Sequence, residues 1–226
     1  MDNFSFSNLI LVSPRGFDSE VAKRSACWAT DILENIKTSE CIDTTLGSFQ
    51  QVIGFSSRHG RALPRPIGLF DFVKQNQMSL MNQISENNIH TALVFGPEDN
   101  GLSNEILGRC NDLVFIETED KNPSMNLSHA VGVVLYALKT IKLSDGATSD
   151  LPTNQFYQNQ SFDLCEYNEY TSLEKLIDKS LHQTKFFNEH TSTEVPALIN
   201  QVMKRAKLSK REMAIFQGIF GSIIRK

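Results

Sequence analysis

The sequence predicts an α/β domain built on a parallel sheet with helices on both faces, followed by a C-terminal helical extension. Three observations carry this. Up to about Leu143, short apolar runs alternate with stretches of helical periodicity. Those runs are hydrophobic throughout, as strands buried on both faces are. Beyond a polar stretch containing glycine and proline, the only periodicity left is helical.

In chain order, Asn8–Ser13, rich in Leu, Ile and Val, reads as a strand. Asp18–Ile36 reads as a helix, with Val21, Ala22, Ala29, Ile32, Leu33 and Ile36 near helical spacing. Gln51–Ser56 and Thr91–Phe95 read as strands, with a helix over Lys74–Glu86 between them. Leu113–Glu117 is a further strand and Asn126–Ile141 a further helix. The first domain thus spans 1–143. Residues 144–165 read as a linker, because Ser144–Phe162 is polar and aperiodic. Residues 166–226 form a helical domain. Thr171 and Glu174 have capping-box spacing ahead of Leu173, Leu176, Ile177 and Leu181. A second helix carries Val195, Leu198, Ile199, Val202 and Met203. A third starts at Ser209, with Glu212 three residues on, and carries Phe216, Ile219, Phe220 and Ile223.

Composition narrows the function classes. With 226 residues, 40% hydrophobic and 21% charged, the chain can bury a core and is not a disordered acidic polymer. The longest apolar runs, such as Leu9–Val12 and Ala92–Phe95, are too short to span a bilayer. Met1–Phe4 has neither the basic nor the apolar region of a secretory signal. A cytoplasmic location and no membrane partner are the expectation. Cys27, Cys41, Cys110 and Cys165 show no zinc-ligand spacing and no completing His pair, so they read as reduced thiols and no metal is expected. The net charge of −4 argues mildly against a nucleic-acid partner. Binding depends on local patches, however. Lys204, Arg205, Lys207, Lys210, Arg211, Arg225 and Lys226 face one acid, Glu212, at the C-terminal end. This segment reads either as an RNA-assisting surface or as a solvated helix face.

Three loops carry chemistry, and each follows a strand, where a doubly wound sheet builds its ligand crevice. Gly54–Pro66 offers two hydroxyls, Ser56 and Ser57, with Arg58, Arg61 and Arg65 in a proline-closed loop. Arginine forks suit phosphate, but a solvated basic loop accounts for the same composition. Leu93–Glu105 places Gly96 at the end of a strand and Gly101 ahead of a helix. It lacks the Lys-Ser/Thr of a P-loop, and a tight turn with a helix cap explains it equally. In Asn122–Val131, Pro123 fixes the backbone and Ser124 or Asn126 can cap the next helix. His129 suits packing better than catalysis, and no nucleophile elbow suggests a hydrolase.

In this order the three loops resemble the SpoU family of the SPOUT superfamily, S-adenosylmethionine-dependent RNA 2'-O-ribose methyltransferases. The likeness is nearest to the TrmJ branch, which acts on the tRNA anticodon loop. Leu-Val-Phe-Gly-Pro-Glu-Asp-Asn-Gly-Leu-Ser-Asn-Glu at 93–105 resembles the family's second motif. Pro-Ser-Met-Asn-Leu-Ser-His-Ala-Val at 123–131 resembles the third. Ser-Ser-Arg-His-Gly-Arg-Ala-Leu-Pro-Arg-Pro at 56–66 resembles the branch's arginine loop.

The resemblance implies a SPOUT-type trefoil-knotted parallel sheet and a homodimer with its active site at the subunit interface. It places Phe55, Ser56, Ser57, Gly96, Ile116, Pro123, Ser124 and Met125 on the cofactor S-adenosyl-L-methionine. It puts Arg61 near the reacting ribose, and Ser124 and Asn126 in the substrate pocket. RNA contacts are expected from Arg58 and Arg61, and from Lys204 and Arg205 in the helical domain. The family's opening strand and Asn-x-Gly-x-x-x-Arg helix have no counterpart here, since residues 1–12 resemble only the end of that helix and the second strand. The expectation is that Met1 is an internal start or the chain a fragment. The alternatives to an active tRNA methyltransferase are a non-catalytic RNA- or cofactor-binding remnant, and an unrelated doubly wound domain for another nucleotide.

Overall fold

A computed structural model of the chain describes residues 1–26, 29–58, 63, 65–76, 90–119, 121, 124–141, 163–184 and 194–225. After strand β1 (Ile10–Val12), Asp18 caps helix α1 (Ser19–Ser25), its carboxylate accepting from the N–H groups of Glu20 and Val21. The single helix expected over 18–36 is two, because α2 (Thr30–Glu34) restarts after Ala29, whose φ of −92° and ψ of 36° are not helical. Several short elements escape the sequence pattern. Strand β2 (Lys37–Ser39) is polar and pairs in parallel with β1, and α3 (Ile42–Leu46) has too few residues to show a period.

Strand β3 (Gln51–Phe55) is buried at every position. It lies between β5 (Thr91–Phe95) and β6 (Asp112–Phe115), with β4 (Ile67–Gly68) beyond β6, all parallel. Helix α4 covers 69–76 in its described part, so the helix expected over Lys74–Glu86 begins earlier, and residues 77–89 lie outside the described set. The strand alternation distributes β3 over two cores. Ile53 and Phe55 pack with Leu69 and Phe72 of α4, and with Val134 of α6 (Leu127–Ile141). Val52 packs on the other face with Leu46 of α3, Leu107 of α5 (Asn104–Arg109) and Tyr167. Gly54 lies beneath Cys110, whose Sγ would be 2.6 Å from an added Cβ. Instead of one sheet, the described strands form a pair, β1–β2, and the four-stranded sheet, in which β5 is an edge strand with only half-buried residues.

The C-terminal helices α7 (Tyr167–Gln183), α8 (Glu194–Ala206) and α9 (Lys210–Ile224) have their own core, which includes Tyr170, Leu173, Ile177, Met203 and Met213. Helix α7 starts ahead of the expected Thr171–Glu174 box, because Glu166 and Glu169 form the capping box instead. Glu174 serves another purpose, accepting a 2.6 Å hydrogen bond from Asn200 of α8. Helix α9 starts as read, at Ser209 with Glu212. The apolar stripes of α8 and α9 are not wholly buried: Leu198, Val202 and Ile219 are exposed. Most of the expected linker 144–165, namely 144–162, lies outside the described residues.

The helical part docks on the sheet's amino edge. The N–H of Tyr167 donates to Phe49 O just before β3, and Asn111, just before β6, donates to Lys204 O. The Tyr167 hydroxyl reaches Asp43 at 2.8 Å, and Arg109 pairs with the same carboxylate. The opposite, carboxyl edge is left to the loops.

Candidate cofactor and substrate crevice

Because β3, β5 and β6 run in parallel, the loops after them emerge at one edge. They enclose a crevice of about 290 Å³. Its floor is apolar. Phe55 and Phe95, partners in register on adjacent strands, stack with ring centroids 4.6 Å apart, and Val114, Ile116, Met125 and Leu127 continue that surface. Its rim is polar, with Ser56, Ser57, Glu98, Asp99 and Asn100.

Each loop is held by local bonds. After β3, the Ser56 N–H donates to Val114 O, and the Ser56 hydroxyl accepts from the N–H of Arg58. After β5, the Gly101 N–H closes a turn on Pro97 O at 2.8 Å, with Gly101 at φ +62°, where glycine is unstrained. Gly96 lies against that turn, so that any Cβ would overlap the Gly101 carbonyl carbon and the Leu102 nitrogen. Ser103 then caps α5. Ahead of α6, Asn126 Oδ1 accepts from Ser128 N, Ser128 Oγ and His129 N, an N-cap arrangement. Its Nδ2 donates to Glu98 Oε1 at 2.7 Å, joining the third loop to the second.

Phe55, Ser56, Ser57, Arg58, Gly96, Ile116, Ser124 and Met125 therefore line one crevice. Asn126 reaches it through Glu98. Arg61 and Pro123 lie outside the described residues. Glu98 is the residue that sequence reasoning missed. Its only signal was an acid within the Gly-x-x-x-x-Gly loop, which looks the same as any solvated acid until Asn126 is brought against it.

Lys204 is not at an RNA-accessible surface, contrary to expectation. It is 3% exposed. Its Nζ lies 3.4 Å from the carbonyl oxygens of Gly108 and Arg109 and over the Tyr167 ring. It thus satisfies the C-terminal carbonyls of α5, where a cation also complements the helix dipole. Burial pushes its pKa down. Two more of the basic residues face acids: Lys207 approaches Asp112 at 3.9 Å, and Lys210 approaches Asp163 at 3.4 Å, which raises its pKa. Arg205, Arg211 and Arg225 are exposed. All of these residues belong to the part docked on the amino edge, away from the crevice. Among the described residues no cluster of His, Cys, Asp or Glu could hold a metal ion, and no helix is long and apolar enough to cross a membrane.

A parallel sheet with a crevice at its carboxyl edge defines the open α/β class, whose ligands bind at that edge. The SpoU rRNA Methylase family model matches residues 1–136. The chain belongs to that family. It is 30% identical over 214 residues to the tRNA (cytidine-2'-O-)-methyltransferase TrmJ of Methanocaldococcus jannaschii, covering 94% of this chain and 86% of the relative. It is 28% identical over 226 residues to the tRNA (cytidine/uridine-2'-O-)-methyltransferase TrmJ of Escherichia coli strain 536, covering 99% and 86%. The crystal structure of TrmJ from Z. mobilis ZM4 shares the fold, with a TM-score of 0.74 at 16% identity over 100% of this chain and 90% of that one.

Proposed function

We propose that the chain transfers a methyl group from S-adenosylmethionine to a ribose 2'-hydroxyl of tRNA, in the anticodon loop. The observation that carries this is the closure of three loops on one crevice, with Asn126 bonded to Glu98 across the second and third. The names of relatives that align along nearly the whole chain support the substrate class.

The crevice suits the cofactor chemically. Phe55, Phe95, Ile116 and Met125 offer apolar surface to a purine, while Glu98 and Asp99 place carboxylates at the rim, complementary to a sulfonium or ammonium. When bound, S-adenosylmethionine supplies an electrophilic methyl group. The protein's part is to hold the ribose oxygen in line with it and to order the hydroxyl proton. Asn126 holds Glu98 by Oε1, which leaves Oε2 to accept from a ribose hydroxyl. Ser124 lines the same space. Arg61 holds the RNA near that ribose in this reading. Two copies complete the site, joined through α6, where Val133 and Tyr136 are exposed apolar residues. Arg205, rather than the buried Lys204, is the helical domain's candidate for an RNA contact.

The test is incubation of the full chain with a tRNA transcript and methyl-labelled cofactor, then nucleoside analysis by mass spectrometry. Label in 2'-O-methylnucleosides, with resistance of the adjoining linkage to alkali, is expected. Cofactor binding without transfer would reassign the chain as a binding module, and label on a base would overturn the ribose reading.

A further inference from the structure

Two of the crevice loops are joined by a single side chain. The Arg58 Nη2 donates to the main-chain oxygen of Asn100 at 2.7 Å, spanning from the loop after β3 to the loop after β5. We infer that Arg58 is a positioning residue for the cofactor: its guanidinium straps these loops together and sets the width of the crevice mouth for a nucleoside-bearing ligand. This rests on the cofactor reading above.

Both ends of the strap are anchored. On one side, the Ser56 N–H is tied to Val114 O of β6, and the Arg58 N–H turns back onto the Ser56 hydroxyl. The main chain that presents Arg58 is therefore braced from two directions. On the other side, Asn100 lies inside the turn that Gly101 closes on Pro97 O, and Gly96 packs so tightly against that turn that a methyl group finds no room. The accepting carbonyl thus has a fixed direction, and the planar guanidinium suits such an acceptor better than a mobile ammonium does.

Charge argues the same way. Among the described residues Arg58 forms no ion pair, although Glu98 and Asp99 stand in the loop that it grips. The strap is made to a neutral carbonyl, so those carboxylates stay available to a cationic ligand. The Nη2 group is bonded to Asn100, and only the remaining donors of the fork are left for other partners. The guanidinium is committed across the crevice before any RNA arrives.

The strap is exposed, so removing it should leave the fold intact while loosening the mouth. Titration calorimetry with S-adenosylhomocysteine on the full chain, comparing wild type, Arg58→Met and Arg58→Lys, tests this. Arg58→Met is expected to weaken binding about three- to tenfold, the range of one net hydrogen bond. Arg58→Lys should recover part of the loss, with Tm unchanged and the salt dependence of tRNA binding as in wild type. In turnover, the cofactor KM should rise while kcat at saturation holds. An Arg58→Met dissociation constant within twofold of wild type overturns the inference. If the salt slope of tRNA binding then also falls by about 0.7–0.9, Arg58 is a phosphate contact instead. No binding by the wild-type chain would overturn the cofactor reading and this inference with it.

Discussion

Gly96→Ala puts the site's geometry to its most direct test. A Cβ at this position would meet the Gly101 carbonyl carbon and the Leu102 nitrogen in overlap, and would lie 2.7 Å from Gly101 O. These are all backbone atoms, so no rotamer change relieves the clash. Comfortable carbon contacts start at about 3.5 Å, so the turn over 97–101 must move by roughly 1 Å or the end of β5 must rotate. Overpacking of this kind costs about 1–3 kcal/mol. The turn cannot move without breaking the Arg58–Asn100 strap and the Asn126–Glu98 bond. The core beneath, Leu102 and Leu107, stays buried, so the strain should be released into the crevice rather than into unfolding. The expected result is at least a tenfold loss of S-adenosylhomocysteine affinity by calorimetry, with Tm lowered by only a few degrees. Affinity within threefold of wild type would refute the claim that this turn shapes the binding site.

Four further outcomes follow from particular contacts. Asn126→Asp keeps the cap on α6 but sets a carboxylate against Glu98, so Tm should change little while methyl transfer falls at least tenfold; unchanged transfer would remove the pair from the mechanism. Lys204→Met removes the buried ammonium that satisfies the C-terminal carbonyls of α5, so Tm should fall, while the salt slope of tRNA binding should match wild type; a reduced slope would return Lys204 to the RNA surface. Ser209→Ala deletes the acceptor for the Glu212 N–H and should cost about 1 kcal/mol, read as a Tm drop of roughly 2–4 °C; an unchanged Tm would show that the cap contributes nothing.

The fourth outcome concerns pH. Burial pushes the thiols of Cys110 and Cys165 up to about 12, and raises Tyr167 and Tyr170 as well. The unfolded chain releases these protons near 9.0 for Cys and 10.0 for Tyr, so it binds fewer protons than the native state there, and stability falls as pH rises. Lys204 and Cys41, with lowered pKa values, act oppositely, two groups against five once the raised Lys210 is included. Melting curves from pH 8.5 to 10.5 should show a declining Tm, and a flat or rising Tm would contradict the burial of these groups.

The class of fold was legible in the sequence because β3, β5 and β6 are hydrophobic at nearly every position and helices separate them. That signature is local and survives without tertiary context. Ser209 with Glu212 was legible for the same reason, since a capping box needs only four consecutive residues. The motifs at 56–66, 93–105 and 123–131 marked the crevice before any strand was paired. Failures came where the deciding contact is distant. Glu166 displaced Thr171 as a helix cap because Tyr167 is anchored to Phe49 and Asp43, more than a hundred residues earlier. The polar strand β2 exists because β1 offers it a ladder.

Charge shows the division most plainly. The sequence alone determined that basic residues cluster near the C-terminus, and composition could only read them as a surface. Tertiary structure placed Lys204 over the Tyr167 ring at the end of α5, paired Lys207 and Lys210 with acids, and moved the whole helical part to the sheet's amino edge. It also turned Glu98 from one acid among many into the partner of Asn126. Periodicity records which residues a segment buries, since burial follows from its own pattern of side chains. The choice of partner for a charged or hydrogen-bonding group depends on which segments the fold brings within about 3 Å, and that distance is not written in any one segment.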